Sequence, residues 1–236
     1  MSGMPRWAGA LHRVSQYVST DLFGGPRVLK LAWVINAQKL GSLPFVYLLM
    51  WWYGDWSLVA WVYLALYGSY GLCWFLKDMA FPDANWQRRV TWGGGAAAFL
   101  LGLAPYWVLP WLLISGRGHP PGAASVLASA IALHTLGLFL MTAADAQKTF
   151  TLRARNGLIT DGMFRLVRHP NYLGEMMLYA AYAVLVGHWA AWAVLVSIWG
   201  VEFVPNMLAK EASLSRYPGW AEYRSRTGAL LPRVWR

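Results

Sequence analysis

The chain has 236 residues, of which 58% are hydrophobic and only 13% charged, with a formal net charge of +10 and a mean hydropathy of +0.37. A soluble domain of this length carries a charged shell closer to a quarter of its residues, so the composition excludes a soluble globular protein and puts much of the surface against lipid. Its 16 Trp and 12 Tyr suit the headgroup level of a bilayer. The single cysteine, Cys73, excludes an intramolecular disulfide, and no metal cluster is spelled out.

In chain order, residues 1–30 hold no apolar signal-peptide core. Trp7, Leu11, Val14, Val18 and Leu22 recur at helical spacing opposite Arg6 and Arg13, which predicts a short amphipathic helix lying on the membrane. Six apolar runs follow, at 31–53, 56–76, 93–115, 122–144, 171–187 and 189–208, each near the length that crosses hydrocarbon. Asn36, Gln38 and Lys39 interrupt the first, and only Gly187 and His188 separate the last two, which form a tight helical hairpin. With the N-terminus inside, the outer connections hold Arg117 and no other of the twenty Lys and Arg residues, as the positive-inside rule expects. Both termini are then cytosolic, and the net charge needs no nucleic acid to explain it. The expected fold is all-α: a multi-pass membrane bundle of six transmembrane helices with a C-terminal cytosolic helical tail. It forms one domain, 1–236. Within it, 1–30 is interfacial, 31–139 shapes a substrate cavity, and 140–236 carries the chemistry.

Two constellations stand out in that last part. Asp145-Ala-Gln-Lys148-Thr-Phe-Thr-Leu-Arg153-Ala-Arg155 runs out of the fourth span, and Asp145 and Lys148, three apart, share a face if the helix continues. Cations here also suit lipid phosphates, but a carboxylate serves neither topology nor anionic lipid. The second is Arg165-Leu-Val-Arg168-His169-Pro170-Asn171-Tyr172-Leu-Gly174-Glu175. Pro170 suits the first turn of a new helix, so the fifth span begins there, with its free N–H groups offering a seat for an anion. Asn171 and Glu175 lie four apart on one face, and a carboxylate one turn inside a span faces the bundle interior with a partner. Glu202 and Asn206 repeat that spacing in the sixth span. The tail, with Glu211, Tyr223 and Leu-Leu-Pro232-Arg233-Val-Trp235, mixes aromatic and basic residues. It suits either a nucleotide or the headgroups.

The segment Arg168-His-Pro-Asn-Tyr-Leu-Gly-Glu175, followed by a hairpin and the Tyr-containing tail, resembles the C-terminal domain of the steroid 5-alpha-reductase family over about residues 140–236. It is similar also to sterol reductases and, more distantly, to isoprenylcysteine carboxyl and phospholipid methyltransferases, and within this group to bacterial reductase-like proteins of unassigned substrate. The resemblance implies an enzyme of a bacterial inner membrane that transfers hydride to a carbon–carbon double bond of a lipophilic, steroid- or isoprenoid-like substrate. It implies a cofactor site of Asp145, Lys148, Arg153, Arg168, His169, Asn171, Tyr172, Glu175 and Tyr223, with Tyr70, Tyr67 and Glu175 as catalytic candidates. Tyr67-Gly-Ser-Tyr70 occupies the region where steroid reductases carry a His-Tyr pair ahead of an Arg, and this chain lacks that His and Arg. Charge argues for NADPH, whose phosphates want Arg and Lys forks, over S-adenosylmethionine, whose sulfonium a cluster of cations repels. A methyltransferase using Glu211 for the ammonium of S-adenosylmethionine is the alternative. A non-catalytic lipid-binding membrane protein is a third reading. Membrane lipids and a lipophilic small molecule are the expected partners.

Overall fold

Apolar runs bounded by turn-forming residues dictate the helices of this chain. The computed structural model describes residues 4–233; Val234 and Trp235 of the tail motif, like both chain ends, lie outside the described residues. Among the described residues the helices are α1 (Arg6–Asp21), α2 (Leu31–Tyr53), α3 (Leu58–Ala80), α4 (Trp92–Ile114), α5 (Ala124–Ala154), α6 (Pro170–Val186), α7 (Trp189–Leu214) and α8 (Trp220–Arg226). Ser57 and Thr91 cap α3 and α4 by accepting from Ala60 N at 3.2 Å and Gly94 N at 3.0 Å, which satisfies N–H groups that a helix start leaves free. Gly187, at φ 61°, ends α6. The Cβ of any other residue there would strike the His119 carbonyl. The protein is an all-α helical bundle. The short antiparallel pair β1 (Leu29–Lys30) and β2 (Arg89–Val90) follows from no pattern in the sequence.

Among the described residues four helices, α3, α4, α5 and α7, are long and apolar enough to cross a membrane. The other two expected spans depart from that pattern. Helix α6 has only 17 residues, and α2 carries Asn36, Gln38, Lys39 and Ser42. Helix α6 is an interior helix, whereas α2 turns only its polar face inward and leaves Trp33, Leu48, Trp51 and Trp52 exposed. Gln38, Lys39 and Ser42 are buried, and α6 buries Leu178, Tyr179, Tyr182, Leu185 and Val186 among its neighbours. Its closest neighbour is α5, which it meets backbone to backbone at Gly137 and Gly174. A Cβ on Gly174 would lie 2.5 Å from Gly137 O and from Met141 N. Small residues permit such crossings between membrane helices.

The basic segments gather at one end of the bundle. Lys148 pairs with Asp83 across 2.7 Å, and Tyr223 Oη donates to Phe164 O at 2.8 Å. Helix α1 lies against this end, where Thr91 N donates to Thr20 O at 2.9 Å and Ser15 Oγ to Glu202 Oε1 at 2.7 Å. At the other end His119 N donates to Val186 O at 3.0 Å, and Arg117 stacks on Trp111. Helices α4 and α7 each contain a π-helical turn, at Ala98–Leu103 and Trp199–Phe203.

Candidate functional site

Among the helices lies a cavity of about 950 Å³, at the upper end of small-molecule sites. Its wall toward the basic end is polar, with Asp83, Arg88, Asp145, Asn171 and Lys210. The remainder is largely apolar, with Ile35, Tyr106, Val194 and Ile198. Lys39 and Glu175 also face the cavity.

The sequence-derived candidates separate into those that meet there and those that do not. Asn171, in the first turn of α6, donates from Nδ2 to Asp145 Oδ1 at 3.2 Å, and Asp145 forms a buried ion pair with Lys77 of α3. Tyr172 lines the cavity beneath the Lys210 ammonium, 4.5 Å from its ring centre. One turn on, Glu175 accepts from Tyr70 Oη at 3.3 Å, so these two candidates do meet. Tyr70 accepts in turn from Lys39 Nζ at 2.9 Å, and the same ammonium donates to Tyr179 Oη at 2.7 Å. Rings of Tyr70, Trp74, Tyr106 and Tyr179 surround it at 4.5–5.6 Å, within cation–π range. Lys39 and Tyr179 are the members that the sequence reading left out. The available signal was the lysine itself: an ionisable residue within a span is costly and faces inward to a partner.

The other candidates lie elsewhere. Tyr67 is buried away from the cavity wall, accepting from Gln38 Nε2 at 3.5 Å and packed against Tyr63 and Tyr182. Lys148 is occupied by Asp83 behind the wall. Burial alone would raise the Asp83 carboxyl, but Lys148 and the Asn85 N–H outweigh it and hold its pKa below the ordinary value. Arg153 is exposed at the end of α5, stacked on Phe150. Arg168 faces the tail: Nε meets Glu211 Oε1 at 2.7 Å, and the guanidinium donates to the Thr227 and Arg224 carbonyls. His169 approaches the same carboxylate at 3.3 Å; burial outweighs this pull and keeps its pKa below the ordinary value. The hydroxyl of Tyr223 holds the loop before α6, and burial pushes its pKa up to about 12. These four contact-rich residues, Arg168, His169, Glu211 and Tyr223, form a latch that docks the tail on the α6 entrance turn.

The expected fork of cations therefore does not form the cavity wall. The cations that line it are Lys39, Arg88 and Lys210. Arg88 Nε is buried with no hydrogen-bond partner among the described residues.

Residues 102–227, just over half of the chain, match the family described as Protein of unknown function (DUF1295). The matched stretch runs from mid-α4 through α8, so it contains Tyr106, Asp145, Asn171, Glu175 and Lys210 but not Lys39 or Tyr70. Comparison with curated proteins finds no match. The chain belongs to the DUF1295 family, within the steroid 5-alpha-reductase and membrane-methyltransferase-like group.

Proposed function

We propose that this protein is an NADPH-dependent reductase, its basic end in the cytosol of a bacterial cell, that reduces a carbon–carbon double bond in a lipophilic, steroid- or isoprenoid-like substrate. The observation that carries this reading is the cluster of Lys39, Tyr70, Glu175 and Tyr179 beside the cavity. Reducing a double bond requires stabilisation of developing negative charge and then a proton. An ammonium in the cavity wall, backed by a phenol that also contacts a carboxylate, suits both needs. Methyl transfer from a sulfonium needs neither, and Lys39 would repel the sulfonium.

The residues present fit the cofactor. Arg88, with its unpaired Nε, and Lys210, which rests on the Tyr172 ring, are suited to hold phosphates, and Asn171 and Glu175 to hold the carboxamide. Two of the four carboxylates in the wall are offset from behind, Asp83 by Lys148 and Asp145 by Lys77. Bound there, NADPH supplies a hydride. Lys39 orients the acceptor, stabilises its developing charge and gives it the proton, Tyr70 Oη replaces that proton on Lys39 and takes another from the Glu175 carboxyl, and the apolar wall excludes water.

Methyl transfer is the second reading, favoured by the four carboxylates in the wall, Asp83, Asp145, Glu175 and Glu202, which would attract a sulfonium. Glu211, the carboxylate expected to serve it, is instead taken up by Arg168, His169 and Arg224. The test is NADPH oxidation by detergent-solubilised protein with a panel of enones and alkenes. Tyr70→Phe and Lys39→Met, at matched melting temperature, should each lose about 10²-fold in turnover. Methylation of a lipid acceptor without any NADPH oxidation would overturn the reading.

A further inference from the structure

Helix α1 is attached to the bundle unevenly. Its C-terminal end is clamped to the start of α4 through the backbone. Thr91 donates from N to Thr20 O at 2.9 Å and from Oγ1 to Leu22 O at 3.1 Å. Gly93 and Gly94 make room for this contact, since a Cβ on Gly94 would lie 2.6 Å from the Thr20 carbonyl. Asp21 is tied in addition to Arg27 by two hydrogen bonds, at 2.7 and 2.9 Å. The chain then leaves through Phe23, Gly24 and Gly25, all at positive φ.

The rest of α1 lies over the cavity, which Leu11, His12, Ser15, Val18 and Ser19 line. Its hydrogen bonds to the bundle here come from side chains. His12 Nδ1 donates to Asn206 Oδ1 at 3.0 Å, Ser15 Oγ donates to Glu202 Oε1 at 2.7 Å, and Arg88 donates to Gln16 Oε1. All three partners, Asn206, Glu202 and Arg88, line the cavity themselves. Among the described residues, none of α1 belongs to the hydrophobic core or packs on it. An element with so small a share of the core opens locally at lower cost than the helices that build it, and lids over binding sites are drawn from such elements.

We infer that α1 is a lid. It pivots on its clamped end at Thr20–Leu22, and release of the His12–Asn206 and Ser15–Glu202 bonds opens the cavity to water-soluble molecules at the basic end of the bundle. Arg88 couples the lid to what the cavity holds. One of its terminal nitrogens binds Gln16, while its Nε is buried and unpaired among the described residues. An anion that engages Nε steadies the same guanidinium that holds the lid, so occupancy favours closure. The lid does not depend on which nucleotide the cavity takes.

The experiment measures entry of a water-soluble maleimide into the cavity of the full chain in detergent. Met141 lines the cavity and is 1% exposed, so Met141→Cys with Cys73→Ser places the single thiol inside. Mass spectrometry follows its labelling. The rate should be far below that of a thiol at exposed Arg153 (Arg153→Cys with Cys73→Ser). Adding His12→Ala and Ser15→Ala removes the two lid bonds and should speed labelling about tenfold to a hundredfold. Arg168→Met, which loosens the tail latch, should leave the rate unchanged and so separates lid opening from a general loss of stability. Should the doubly loosened lid misfold, Ser15→Ala alone removes the shorter bond and is read in the same way. The inference falls if the Met141→Cys thiol reacts as fast as the exposed one, if removing the lid bonds does not accelerate it, or if Arg168→Met accelerates it as much.

Discussion

Replacing Arg168 by Met should loosen the tail without weakening cofactor binding. The guanidinium is buried, its side chain 7% exposed against 13% for Glu211, and it makes contacts to Glu211 and to the Thr227 and Arg224 carbonyls. Removing one partner of a buried ion pair costs about 3–5 kcal/mol, because the other charge is left uncompensated. Glu211 keeps His169 at 3.3 Å and Arg224 at 3.8 Å, which places the expected loss near the lower end. At about 2–4 °C per kcal/mol for a chain of this size, the melting temperature should fall by about 6–12 °C. Arg168→Met combined with Glu211→Leu removes the stranded carboxylate and should recover part of that loss. Melting is followed by intrinsic tryptophan fluorescence in detergent, with and without NADPH. If Arg168→Met melts like the wild type but loses the NADPH-induced shift, Arg168 is a cofactor ligand and the latch is misread.

Gly174→Ala, whose Cβ would press on Gly137 O and Met141 N, should destabilise by about 2–3 kcal/mol through overpacking and reduce the folded yield in size-exclusion chromatography. Arg88→Gln and Lys210→Gln should each weaken NADPH binding about ten- to a hundredfold in a thermal-shift titration, whereas Arg153→Gln, exposed at the end of α5, should leave it unchanged. His169 has a folded pKa below its ordinary value of 6.5, chiefly through burial, so the unfolded chain takes up the proton first. The stability it contributes is full above about pH 6.5 and is lost as the pH falls toward the folded value. The melting temperature should drop over that window, and less so in His169→Gln.

The helices were legible because hydropathy and capping act locally. The reading of 31–53 coincides with α2, and the amphipathic stretch opposite Arg6 and Arg13 is α1. Pro170 starts α6 as its fixed φ requires. The pairing of Tyr70 with Glu175 joins residues 105 positions apart; Glu175 was singled out by its type and depth in a span, and Tyr70 by the resemblance to the steroid reductases. The partners of charges were not legible. Lys39 looked like a defect in a span, but its ammonium is the centre of the polar cluster. Arg168 and Lys148 carry the same charge as Arg88 and Lys210, and what separates them is which carboxylate the fold brings near. Glu211 reaches Arg168 from 43 residues away, and Asp83 reaches Lys148 from 65. No local pattern encodes such distances.

The central claim is that the cavity between Lys39 and Lys210 takes a reduced nicotinamide dinucleotide. Its most direct measurement is the melting temperature of the solubilised full chain titrated separately with NADPH and with S-adenosylhomocysteine. Stabilisation by NADPH that is lost in Arg88→Gln with Lys210→Gln, and no response to S-adenosylhomocysteine, is the predicted result. Stabilisation by S-adenosylhomocysteine with no response to NADPH would contradict it.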